Sequence, residues 1–185
     1  GVGRMMLAGW LRFAPDQGTT AAWAATLLGD LGLMGVAAAA EEAMFRGYPF
    51  QVLVRAAGAP AAVVVSSVAF SLAHNTNPNV DDIALLNIFL AGVLLAVAYL
   101  VTRSLWFATA IHLGWNWSMA SLADLPVSGL ELFDTPLYEP VLRGPAWATG
   151  GAFGPEGGLT GTIAFGAAIA TVWWYARKRR TAGKA

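Results

Sequence analysis

The run from Ile83 to Val101 carries no charged side chain. It has about the 20 residues that an α-helix needs to cross the hydrocarbon core of a bilayer. Lipid offers no water to backbone N–H and C=O groups, so such a run folds as a helix and packs against other helices. The rest of the chain obeys the same constraint. Of its 185 residues, 57% are hydrophobic and 12% are charged, against about 25% charged in an ordinary soluble domain. Mean hydropathy is +0.57. The expected fold is all-α, a polytopic membrane helix bundle of about five transmembrane helices.

Composition also excludes several functions. The formal net charge is zero, which removes the electrostatic case for nucleic acid. There is no Cys, so disulfides, thiolate metal sites and a Cys nucleophile are ruled out. Residues 1–20 show no signal-peptide pattern. The sequence sets no oligomeric state.

Residues 1–20, with Arg4, Arg12, Pro15, Asp16 and Gly18, read as an amphipathic or linking segment. Residues 21–123 read as a helix bundle. One long helix is expected from residue 21 to Ala57, bent near Gly47 and Pro49, where a backbone donor is lost. Gly58-Ala59-Pro60 is a turn signal, and a second helix follows to His74. The polar stretch Asn75 to Asp82 leads into the Ile83–Val101 helix, and a fourth helix runs from Leu105 to Ala123. Residues 124–158 are rich in Pro and Gly and read as an extramembrane loop. Residues 159–185 form the last transmembrane helix and a basic tail, Arg177-Lys178-Arg179-Arg180. Basic ends favour the cytoplasm. The C-terminus, Arg103 and the Arg55–Pro60 turn are therefore expected inside, and Asp81-Asp82 outside.

Three motifs on these apolar segments hold both histidines and the only adjacent glutamates: Glu41-Glu42-Ala43-Met44-Phe45-Arg46, Phe70-Ser71-Leu72-Ala73-His74 and His112-Leu113-Gly114-Trp115-Asn116. Ionisable groups are costly in a bilayer and are usually kept there for a task. Glu41 and His74 flank the Gly58 turn symmetrically, so a tight antiparallel hairpin would bring them to one height, each about 25 Å up its helix. Adjacent Glu41 and Glu42 point about 100° apart. Glu42 has the i, i+4 spacing to pair with Arg46, which leaves Glu41 for the interior as a general base. His74 is placed to share a water or a metal with it. His112 and Asn116 share a face as N–H donors for a developing oxyanion. Two His and one Glu (Glu41, His74, His112) also match a catalytic Zn2+ site with an open position for water. Spacing leaves metal and metal-free water activation both open.

Each motif has a plainer reading when taken alone. A histidine on an apolar helix is usually a hydrogen-bonded core residue, and His112 with Asn116 could be interhelical glue. Phe70, Trp115 and Trp117 read as packing residues or interfacial anchors. Gly92 and Gly114 read as points of close helix approach.

Taken together, Glu-Glu-x-x-x-Arg, Phe-x-x-x-His and His-x-x-x-Asn on successive membrane helices resemble the CPBP family. That family includes the type II CAAX prenyl endopeptidases and the bacteriocin-processing and self-immunity homologues. The resemblance covers roughly residues 36–122, and every motif position agrees. It implies that residues 21–123 are a catalytic bundle, an intramembrane endopeptidase often called a metalloprotease, with the active site between helices and Glu41 and His74 activating water. His112 and Asn116 would then stabilise the oxyanion, or His112 would be a metal ligand. It also implies about three further helices upstream, which fits a chain that begins Gly-Val-Gly-Arg. The expected partners are membrane lipid and a peptide or protein substrate, and the expected place is a bacterial cell membrane. The alternatives are a non-enzymatic membrane immunity or scaffold protein and a proton-coupled transporter. The transporter ranks last because no inverted repeat is visible.

Overall fold

The computed structural model describes residues 2–131 and 133–182. It is predominantly helical: α1 (Val2–Leu7), α2 (Thr20–Arg46), α3 (Tyr48–Ala73), α4 (Asp82–Thr102), α5 (Leu105–Ala120), α6 (Ala146–Thr149) and α7 (Leu159–Ala182). Two short strands, β1 (Leu11–Pro15) and β2 (Tyr138–Leu142), pair antiparallel, with Leu11 opposite Leu142. The start signals are local. Thr19, Asp81 and Ser104 accept hydrogen bonds from the backbone N–H groups of Ala22, Ala84 and Phe107 at the openings of α2, α4 and α5.

The expected helix from residue 21 to Ala57 is two helices. The chain leaves helical geometry at Gly47 (φ −72°, ψ −139°), and Pro49 opens α3. A Cβ at position 47 would collide with the Ala43 carbonyl oxygen, so only glycine allows the break. The Gly58 signal is a kink within α3, where φ is +83° and ψ 161°, followed by Pro60. Glu41 and His74 are thus separated by a break, a short helical arm and a kink, not by one tight hairpin. On the second arm of α3, Ser66 Oγ donates to the Phe45 carbonyl of α2 at 2.9 Å, and the Phe45 and Phe70 rings meet edge to face.

Among the described residues, three helical runs are long and apolar enough to cross a membrane: Thr20–Ala73, Asp82–Thr102 and Leu159–Lys178. The first joins α2 and α3 across Gly47. By this measure the expected five spans are not reached, because α5 has only 16 residues and a straight crossing takes about 20.

Packing is closest between α3 and α4. A Cβ on Gly92 would lie 2.9 Å from Ser67 Cα, so glycine there permits the approach, as expected. Gly114 faces open space and has no such role. Phe50, Ala62, Leu95, Ala96, Tyr99 and Ala108 form a core shared by α3, α4 and α5. Large apolar side chains such as Leu28, Leu33, Val36, Val64 and Val65 point outward, as a lipid-facing surface requires.

Residues 124–131 and 133–158 form a folded layer at one end of the bundle. Asn77 Nδ2 donates to the Ser128 carbonyl at 2.8 Å, and Asn87 Nδ2 donates to the Glu156 and Gly158 carbonyls at 2.6 and 3.0 Å. The β1–β2 ribbon belongs to the same layer. Residues 1–20 therefore contribute a helix and a strand to it.

Candidate active site

The three motifs meet in one cavity of about 620 Å³. Glu41 comes from α2, Phe70 from α3 and His74 from the C-terminal cap of α3, while His112 and Asn116 come from α5. The neighbouring glutamates diverge as a helix requires. Glu42 is fully buried, whereas the Glu41 side chain is 38% exposed and lines the cavity.

Glu42 Oε1 is a junction. It accepts from Arg46 Nη1 at 3.1 Å and from His112 Nδ1 at 2.9 Å. Arg46, also fully buried, donates through Nη2 to the Gly92 carbonyl at 3.1 Å. Its guanidinium lies 4.5 Å from the Phe70 ring centroid, a cation–π contact. One buried ion pair thus ties α2 to α3, α4 and α5. It does more than the expected pairing within α2.

The acceptors decide the histidine tautomers. His74 Nδ1 is 2.7 Å from the Phe70 carbonyl, which can only accept. His112 Nδ1 faces a carboxylate that also takes the arginine. Both Nδ1 atoms therefore carry hydrogen, and in the neutral rings both Nε2 atoms carry a lone pair. His74 can accept a proton or a hydrogen bond at Nε2. His112 has spent its Nδ1 hydrogen on Glu42, so it can donate to an oxyanion only as imidazolium. Its Nε2 lies 3.9 Å from Glu41 Oε2, and that carboxylate oxygen is buried without a hydrogen-bond partner. Asn116 needs no charge change to present an N–H to the cavity.

The motifs did not signal Glu156. It is 3% exposed, lines the same cavity, and accepts from Trp115 Nε1 at 2.7 Å, Ser128 N–H at 2.7 Å and Ser128 Oγ at 2.9 Å. Three donors to one carboxylate clamp the outer layer onto α5, one residue from Asn116. Trp115 also stacks on Phe165 of α7, with centroids 4.3 Å apart. Around Glu156, Gly154 and Gly158 sit where a Cβ would strike the Pro126 and Ala148 carbonyls.

The metal reading fares differently. A catalytic zinc takes its donors at about 2.0–2.2 Å, so the donor atoms must nearly touch. Glu41, His74 and His112 have suitable donor chemistry. Among the described residues, however, the group whose ligand atoms all lie within 4.8 Å of one another is Asp124, Asp134 and Glu139. That cluster could hold a metal ion but is half-buried to exposed, in the outer layer. Glu41, His74 and His112 are the residues that would hold a zinc ion in the motif cavity, where it would activate a bound water.

Residues 21–118 match the family described as type II CAAX prenyl endopeptidase Rce1-like. No curated protein and no solved structure matches the chain. The family match spans α2 to α5, covers just over half of the chain and contains every motif residue; Glu156 lies beyond it. A helical membrane bundle with these motifs around one cavity, and this match, leads to one assignment: the chain belongs to the Rce1-like type II CAAX prenyl endopeptidase family, and that membership supports a protease activity.

Proposed function

We propose that this protein is an intramembrane endopeptidase that hydrolyses a peptide bond of a membrane-associated or lipidated peptide, using water activated by Glu41 and His74. The observation that carries this reading is the lining of one cavity by Glu41, His74, His112 and Asn116. Glu41 takes a proton from the attacking water while His74 Nε2 accepts its second hydrogen bond. The oxygen adds to the scissile carbonyl carbon, and negative charge moves onto the carbonyl oxygen. Asn116 Nδ2 and, when protonated, His112 Nε2 donate to that oxygen. The proton held by Glu41 passes to the departing amine as the C–N bond breaks, leaving a carboxylic acid and an amine, which exchange the remaining proton to give carboxylate and ammonium. Glu42 and Arg46 position His112 and take no part in bond making. No step passes through a metal.

The protein is integral to the membrane by its long apolar helices. We place its C-terminus in the cytoplasm, since Arg103, Arg177 and the Gly58 kink lie at one end and Asp81, Asp82 and the outer layer at the other. The bacterial cell membrane remains the expected setting.

Metal analysis of an active preparation tests the mechanism. Cleavage of a reconstituted membrane peptide without stoichiometric metal supports direct activation by Glu41 and His74. One zinc per chain, lost together with activity on His74→Ala, would overturn it.

A further inference from the structure

A second cavity, of about 700 Å³, lies at the opposite end of the bundle and shares no lining residue with the first. It is bounded by the kinked part of α3, the end of α4 and the last turns of α7. Pro60, Val97, Val101 and Trp173 give it apolar walls, and Arg103 and Arg177 stand on its lining. We propose that it binds one anionic phospholipid, with an acyl chain along the apolar walls and the phosphate between Arg103 and Arg177.

Charge complementarity argues for this occupant. Among the residues that line this cavity the ionisable groups are Arg103 and Arg177, both cationic. A cavity with apolar walls and cationic side chains at a bilayer surface is matched by a molecule with hydrocarbon at one end and a negative charge at the other. Basic pockets between membrane helices on the cytoplasmic side recognise anionic headgroups on this physical basis. Arg103 is the left-handed cap of α4 (φ 56°), its N–H bonded to the Tyr99 carbonyl, and this places its backbone at the helix end beside the cavity. Trp173, more than half exposed beside the cavity, suits the headgroup level, where indole rings accumulate. A soluble acidic peptide matches the charge but not the hydrocarbon walls.

The test uses the full chain in neutral detergent, titrated with dioleoyl-phosphatidylglycerol, dioleoyl-phosphatidylcholine or sn-glycerol 3-phosphate and read by native mass spectrometry. One phosphatidylglycerol should be retained at concentrations where phosphatidylcholine is not, and glycerol phosphate should not bind. Each arginine near a membrane surface contributes about fivefold in affinity. Arg103→Gln with Arg177→Gln should therefore weaken phosphatidylglycerol binding about thirtyfold, and Arg103→Lys with Arg177→Lys should restore most of it. Val97→Phe should fill the cavity and weaken binding with the charges intact. An unchanged melting temperature shows that each variant is folded. Equal retention of the two lipids, undiminished binding by the double Gln variant, or binding of glycerol phosphate as tight as that of the lipid would overturn the proposal.

Discussion

His112 Nδ1 lies 2.9 Å from Glu42 Oε1, the same oxygen that receives Arg46 Nη1 at 3.1 Å. One buried oxygen therefore neutralises a guanidinium and fixes the ring that faces the cavity. Glu42→Ala would strand Arg46, which is fully buried, and free the imidazole to rotate. The expected loss of stability is about 3–5 kcal/mol, the cost of breaking a buried ion pair on one side. Replacing both partners, as in Glu42→Leu with Arg46→Met, should cost less than Glu42→Ala alone. Reversible denaturation in micelles measures both. A Glu42→Ala loss below about 1 kcal/mol would mean that the pair is not what holds these helices.

The clamp at Glu156 predicts a defect in turnover more than in substrate affinity. Glu156→Gln cannot accept three hydrogen bonds as a carboxylate does, and Trp115→Phe removes one donor from the other side. Each should lower kcat by about tenfold, because a shift of about 1 Å in a positioned group is costly to a reaction. In a double-mutant cycle the two losses should not add, since they break one contact. Full additivity would show that Glu156 acts elsewhere.

The two glycines near the site should respond in opposite ways to alanine. At Gly92 a methyl group would meet Ser67 Cα at 2.9 Å and displace the carbonyl that Arg46 uses. Gly92→Ala should destabilise by about 1–3 kcal/mol. At Gly114 nothing lies within 4 Å. Gly114→Ala should stabilise α5 by up to about 1 kcal/mol through helix propensity. Thermal unfolding of the pair reads the contrast, and equal shifts would contradict the packing described.

Asp124, in the outer layer, has its carboxyl pushed above the usual range, chiefly by burial. The Thr135 backbone hydrogen bond opposes this, and Glu139 and Asp134 add repulsion. A raised carboxyl binds its proton more tightly in the folded state than in the unfolded state. The resulting penalty is present above the folded value and is relieved as pH falls through it. Asp124→Asn, which keeps an acceptor for Thr135, should melt no lower than the parent at pH 7. Its relative advantage should shrink as the pH is lowered through the carboxylate range. An Asn variant that loses stability at pH 7 and regains it in acid would reverse the sign.

The helical membrane class could be read directly, because lipid leaves apolar runs such as Ile83–Val101 no other structure. The i, i+4 spacings within the motifs held for the same reason: a helix fixes which side chains share a face, and Glu42 reaches Arg46 as its spacing predicts. Relations between helices were less accessible. Gly58 and Pro60 announce a change of direction, but whether it is a hairpin turn or a kink depends on packing against α2 and α4. His112 Nδ1 takes its partner from α2, 70 residues earlier in the chain, and no local pattern reports that. Glu156 escaped notice because a carboxylate in a Pro- and Gly-rich loop looks solvated. Its burial follows from close contacts that only the folded backbone creates.

The division of labour between the adjacent glutamates is the centre of the mechanism: Glu41 faces the cavity, and Glu42 is sealed behind it. The most direct measurement is kcat/KM of Glu41→Gln on a membrane-embedded peptide that the parent cleaves, at an unchanged melting temperature. Loss of the base should lower it by about 10²–10⁴-fold. Cleavage within tenfold of the parent by the folded Glu41→Gln protein would contradict the assignment of Glu41 as the base.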